Sequence, residues 1–239
     1  MLTIGSLFSG IGGLELGLER AGLGPVKWQV EIDPYCRDVL AKHWPDVERF
    51  DDIRTVGRGN LAPVDLICGG FPCQNFSSLG IGGGLSGAKS GLWFEFARII
   101  GEIRPCFVVV ENVVAITAGG LDGVLGSLAA LGFDAIWFPV AAGDVGATHL
   151  RDRVFVIGWN ADSHDGGEIG CLQPRSDSNT SGDRSGSWWA TEPHMDRVVN
   201  GFPGRVDRIH ALGNAVVPQV AEVVGWVVRG IHERLTQCC

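Results

Sequence analysis

Long hydrophobic runs are missing from this chain of 239 residues. No stretch approaches the roughly 20 uninterrupted apolar residues of a membrane span, and residues 1–20 carry Glu15 and Glu19 rather than a basic start followed by an apolar block. The expectation is a cytoplasmic protein with no membrane contact. Zinc-type spacing is missing too. The seven cysteines, at 36, 68, 73, 106, 171, 238 and 239, make no Cys-x-x-Cys pair matched by spaced histidines, so neither a metal site nor a disulfide framework is expected. Positive charge is scarce: 19 Lys and Arg face 27 Asp and Glu, a formal net charge of −8. That excludes a protein that coats nucleic acid non-specifically, which depends on neutralising many phosphates, but leaves room for a local basic cleft.

Glycine is plentiful, at 36 residues, and clusters at 80–91 and 117–126. These clusters read as loops between regular elements. The length suits one α/β core with a small appended lobe. Residues 2–8 predict a first strand running into Ser9-Gly10-Ile11-Gly12-Gly13, and a helix follows over 14–21. Strand, glycine turn and helix opening are the parts of a cradle in which backbone N–H groups approach a ligand closely. Gly-x-Gly-Gly is not the dinucleotide pattern, which disfavours a phosphate binder, and a tight turn needing positive φ is the alternative to a cradle.

A second strand over 26–30 ends in Glu31-Ile32-Asp33, with Pro34 opening a helix. An acid at that tip suits ribose hydroxyls, although a capping acid looks the same in sequence. Residues 50–53, Phe-Asp-Asp-Ile, end a short third strand. Residues 64–68 form a buried strand, and just past it comes Phe71-Pro72-Cys73-Gln74. A thiol outside the carboxyl end of a strand is better placed to react than one inside it.

The loop 80–90, with five glycines in eleven residues, precedes a helix from Gly91, and a buried strand over 106–110 runs into Glu111. Polar groups at Ser9, Gly10, Glu31, Cys73 and Glu111 thus gather on one sheet edge, which packing alone does not explain. A helix over 121–131 and strands over 134–140 and 154–158 follow, with Arg151 and Arg153 alternating on one side of the chain. Residues 160–200 turn to Ser, Asp, Gly and Asn, poor core material. In the closing segment Val220, Val223, Val224, Val227, Val228 and Ile231 fall at helical spacing, so one face packs on the core.

Taken together, these stretches resemble the DNA (cytosine-5)-methyltransferase family. Phe8-Ser9-Gly10-Ile11-Gly12-Gly13 resembles its cofactor motif, and Phe71-Pro72-Cys73-Gln74 and Glu111-Asn112-Val113 its catalytic motifs. Arg151-Asp152-Arg153 and Gly213-Asn214-Ala215-Val216-Val217-Pro218 resemble the two later signatures. The resemblance implies a Rossmann-like α/β fold, a mostly parallel sheet with helices on both faces. Residues 1–159 and 205–239 would be the catalytic and cofactor-binding domain, and 160–204 a small target-recognition insert. It implies S-adenosyl-L-methionine as cofactor, held by Phe8, Ser9, Gly10, Gly12, Gly13, Leu14, Glu31, Ile32, Asp52, Ile53, Phe71, Pro72, Leu92, Asn214, Ala215 and Val216.

Cys73, Glu111, Arg151 and Arg153 would be catalytic, and Gln74 and Ser77 would touch DNA. Double-stranded DNA is the implied partner, bound by a monomer. Two departures stand out. Where the family carries Pro-Gln ahead of the paired arginines this chain has His149, and its recognition region is short. The alternatives are an RNA cytosine-5 methyltransferase with the same parts, a non-catalytic cofactor-binding regulator, and a nicotinamide-dependent oxidoreductase, which the glycine spacing disfavours.

Overall fold

The computed structural model describes residues 1–72, 91–149, 151–160 and 211–237. Expectations for Cys73, Gln74, Ser77, the loop 80–90 and nearly all of the insert fall outside them. The sheet has seven strands: β1 (Ile4–Leu7), β2 (Val26–Val30), β3 (Glu48–Phe50), β4 (Leu66–Gly69), β5 (Phe107–Val113), β6 (Phe133–Ala141) and β7 (Asp152–Asn160). Their order is β3-β2-β1-β4-β5-β7-β6. The first five run parallel, and β7 is antiparallel to both its neighbours.

Parallel neighbours need crossover connections, and helices supply them: α1 (Gly13–Arg20), α2 (Pro34–His43) and α3 (Gly91–Ile103), while α4 (Leu121–Ala130) leads from β5 to the non-adjacent β6. The closing helix, α5, spans Pro218–Gln237. The strands buried on both faces are near-continuous apolar runs, such as Leu66-Ile67-Cys68 and Phe107–Val110. One core lies under α3 and α4, around Trp93, Phe96, Ile99, Val124 and Leu128. The other lies under α1 and α5, around Leu14, Leu18, Val220, Val224 and Ile231.

By length and composition residues 211–236 are apolar enough to cross a membrane, but the apolar stripe of α5 is spent on this second core. Glycine lets α5 come close. A Cβ on Gly17 would lie 2.3 Å from the Ala221 Cβ and the Pro218 carbonyl, and one on Gly225 2.5 Å from the Ala21 Cβ.

The order in which strands are added reverses at β1, which has β2 on one side and β4 on the other. In open α/β sheets the crevice at such a point, outside the carboxyl ends of the strands, is where ligands bind. Two boundaries differ from the sequence reading. Strand β3 stops at Phe50, because Asp52 caps a 3-10 turn over Ile53–Thr55. Strand β5 runs on past Glu111 to Val113, because β7 pairs with it residue for residue as far as Arg153.

Candidate functional site

The turn after β1 is built from left-handed backbone: Phe8 has φ 54°, Gly10 φ 55° and Gly12 φ 86°. Glycine meets that demand without strain, and a Cβ on Gly10 would touch nothing within 4 Å, so the space above it is open. The Gly10 N–H donates to Glu31 Oε2 at 2.7 Å, and Glu31 Oε1 accepts from the Asp33 N–H at 2.8 Å. The carboxylate at the tip of β2 is thereby tied to the turn. It keeps spare lone pairs for ligand hydroxyls. Ile32 beside it is 67% exposed, an apolar face next to an anionic tip.

Asp52 Oδ1 accepts from the Arg54 N–H and from its Nε, at 3.0 and 2.9 Å. These hydrogen bonds hold the Asp52 carboxyl below the ordinary range. Ile53 is buried, and Leu92 packs on the same core as Phe8. Arg98 of α3 fixes this corner: its Nη2 donates to the carbonyls of Ile53 and Val56, both at 3.0 Å, while Glu95 and Glu102 pair with its guanidinium.

From the other side comes the segment ahead of α5. A Cβ on Gly13 would sit 2.2 Å from the Val216 carbonyl oxygen, so only glycine allows that approach. Arg151 Nη2 donates to the Gly213 carbonyl at 2.7 Å. An open cavity of about 460 Å³ runs along this flank, lined by Gly12, Gly13, Trp44, His149, Arg151 and Val216. It reaches neither Glu31 nor Glu111, so it covers one flank of the site only.

Glu111 is the buried acid of the edge. Its Oε1 pairs with Arg153 Nε at 2.8 Å, and its Oε2 lies where a Cβ on Gly70 would come within 2.5 Å. Burial pushes its pKa up, and the charges of Arg153 and Arg151 pull the other way without cancelling the rise. Burial and the like charge of Arg153 push the Arg151 pKa down, with Glu111 opposing. The next residue, Asn112, is buried and donates from Nδ2 to the Phe71 carbonyl at 3.1 Å. Phe71 also packs against Trp93 in a tilted arrangement, ring centroids 5.2 Å apart. The backbone just ahead of Cys73 is therefore anchored to the strand that carries Glu111.

The structure brings together Ser9, Gly10 and Glu31, then Glu111 with Arg153, then Gly13 with Val216. Ala215 and Asn214 sit in the same segment as Val216, and Pro72 follows the anchored Phe71. Sequence reasoning gave no task to Arg98, Trp44 or Glu15. The Glu95, Arg98, Glu102 spacing signals an ion-pair ladder on a helix. Nothing in it signals the two carbonyls.

A switch-point sheet in this order, with a glycine turn and an acid at the β2 tip, defines a Rossmann-like fold of the methyltransferase type. The C-5 cytosine-specific DNA methylase family model matches residues 2–185, and the chain belongs to that family. Type II methyltransferase M2.BsuMI of Bacillus subtilis is 35% identical over 164 residues, 65% of this chain and 41% of the relative. Type II methyltransferase M1.HphI of Haemophilus parahaemolyticus is 34% identical over 199 residues, 77% and 52%.

A prophage-encoded E. coli protein described as a DNA modification methyltransferase superposes with a TM-score of 0.58 at 32% identity, covering 68% of this chain and 47% of that one. Spodoptera frugiperda DNMT2 shares the fold, with a TM-score of 0.58 at 20% identity over 74% and 54%. The chain spans about half the length of the curated relatives it matches.

Proposed function

We propose that the chain methylates C5 of cytosine in double-stranded DNA, as a DNA (cytosine-5-)-methyltransferase using S-adenosyl-L-methionine. One observation carries this reading: the buried Glu111 carboxyl, paired with Arg153, belongs to the same strand as the Asn112 that pins Phe71 two residues before Cys73. The residues present fit an adenosyl ligand, with open space over Gly10, an anionic Glu31 with spare lone pairs, an exposed apolar Ile32 and Asp52 at the next strand tip. Phe8, Ser9, Gly10, Gly12, Gly13, Leu14, Glu31, Ile32, Asp52, Ile53, Phe71, Pro72, Leu92 and Asn214 to Val216 would hold it. When bound, the cofactor supplies an electrophilic methyl on a sulfonium sulfur.

Cytosine C5 is a poor nucleophile until the ring is activated. The Cys73 thiolate adds to C6, forming an S–C6 bond, and the displaced ring electrons reach N3, where Glu111 delivers a proton. The ring is now an enamine, nucleophilic at C5. After methylation C5 loses its proton to water, the S–C6 bond breaks to return the thiolate, and N3 hands its proton back to Glu111, which restores the enzyme. Glu111 must arrive protonated, which its upward pKa shift favours. Arg153 and Arg151 steady the base as negative charge builds.

Because C5 and C6 lie inside the stack, the base is flipped out at a cost of a few kcal/mol. Gln74 and Ser77 would contact the DNA, and 160–204 would be a small target-recognition insert beside the catalytic domain, in a cytoplasmic monomer. The test offers labelled cofactor with duplex DNA and with tRNA. Label in DNA at C5 of cytosine is expected. Transfer to RNA alone overturns the reading, and transfer to neither leaves the non-catalytic regulator.

A further inference from the structure

Beneath the glycine turn lies a carboxyl that no step above uses. Glu15, in the first turn of α1, is wholly buried, and among the described residues no donor meets either of its oxygens with hydrogen-bond geometry. Facing it are Ser6 of β1, Ser9 of the turn and Gln29 of β2, with Cys68 of β4 close enough to feel its charge. The Gln29 amide nitrogen is also buried and unpaired, while its Oε1 accepts from Arg49 Nη1 at 3.4 Å. No cation touches Glu15 directly among the described residues. An uncompensated buried carboxylate is costly, and a neutral acid far less so.

Ser9 is the link to the ligand. Its Oγ donates to Ser6 Oγ at 2.9 Å, and a hydroxyl has one proton to give. A neutral Glu15 offers an O–H that the Ser9 oxygen can accept while Ser9 keeps donating to Ser6. An ionised Glu15 can only accept, and it competes with Ser6 for the Ser9 proton. The Ser9 backbone is engaged at both ends: its N–H donates to the Val30 carbonyl at 3.2 Å and its carbonyl accepts from the Gly12 N–H at 3.0 Å. A Ser9 that turns disturbs the whole turn from Phe8 to Gly12.

We propose that Glu15 is a positioning residue of the cofactor turn, holding Ser9 on Ser6 as a neutral acid and drawing Ser9 away, with loss of cofactor affinity, when it ionises. The proposal rests on the cofactor reading given above. Burial lifts the Glu15 pKa to about 7, against the lowering pull of Ser6, its own N–H, Ser9 and Gln29. Burial, and then the charge of Glu15, raise the Cys68 thiol well above its usual value, so Cys68 stays neutral in this range.

The test is calorimetric titration of S-adenosyl-L-methionine into the full chain between pH 6 and 8.5, for wild type, Glu15→Gln and Ser9→Ala. Wild-type affinity should fall by about tenfold across the range, the equivalent of one pKa unit of linkage. The profile should be flat in Glu15→Gln and in Ser9→Ala. Should Glu15→Gln fail to fold, Ser9→Ala carries the comparison alone. A flat wild-type profile, or a slope that survives in either variant, overturns the inference. A wild type that binds no cofactor at any pH overturns the proposed function instead.

Discussion

At the residue scale the two buried glutamates do different work. Glu111 has a cation against it and Glu15 has none, which makes their expected variants diverge. The Glu15 pKa is raised on folding from 4.5 to about 7. Its ionisation therefore adds no cost below the unfolded value, and the added cost grows from there until the group is fully ionised above 7. Glu15→Gln should leave the thermal midpoint unchanged at pH 4 and raise it by roughly 5 °C at pH 8. Scanning calorimetry at the two pH values checks this, and a gain at pH 4 as large as that at pH 8 contradicts it. Glu111→Gln keeps the shape but removes the transferable proton. It should lower methyl transfer by about a hundredfold or more while the cofactor dissociation constant stays within about threefold, the level at which binding is essentially untouched.

At the element scale the site depends on how two helices seat. On α3, Arg98 closes the corner that carries Asp52 and Ile53. Arg98→Ala should weaken cofactor binding several-fold and cost about 1.5–3 kcal/mol of stability, the range for hydrogen bonds involving a charged group. Arg98→Lys should recover little, because a single ammonium cannot span two carbonyls and two carboxylates. Equilibrium titration and urea midpoints measure both. On α1, Gly17→Val places side-chain atoms against Ala221 and the Pro218 carbonyl. It should destabilise the chain by about 1–3 kcal/mol, as overpacking does, and an unchanged urea midpoint would deny that α5 packs there.

These elements were largely readable in advance, because periodicity and punctuation agreed: Pro34 opens α2, and the valines of α5 repeat at helical spacing. The ends were less readable. That Glu111 lies inside β5 follows from its pairing with β7, a contact between distant segments that local pattern does not carry. For the same reason nothing local marks Arg98 as the donor to the Ile53 and Val56 carbonyls.

At the scale of the whole molecule, seven strands in one order place the glycine turn, Glu31, Asp52, Phe71 and Glu111 along a single edge, although they are far apart in sequence. Motif order gave this edge away, since each polar group follows an apolar run. The approach of Val216 to Gly13 came from the family resemblance, which puts both on the cofactor, and not from local pattern, because the closing segment returns from the far end of the chain.

The central claim is a bond from the Cys73 sulfur to cytosine C6, and it can be trapped. Duplex DNA carrying 5-fluorocytosine, incubated with the chain and S-adenosyl-L-methionine, cannot complete release, since fluorine does not leave as the proton does. Mass spectrometry of the digest should find the nucleotide on the peptide containing Cys73, and none after Cys73→Ser. A chain that binds cofactor and DNA yet forms no adduct, or carries it on another residue, contradicts the account.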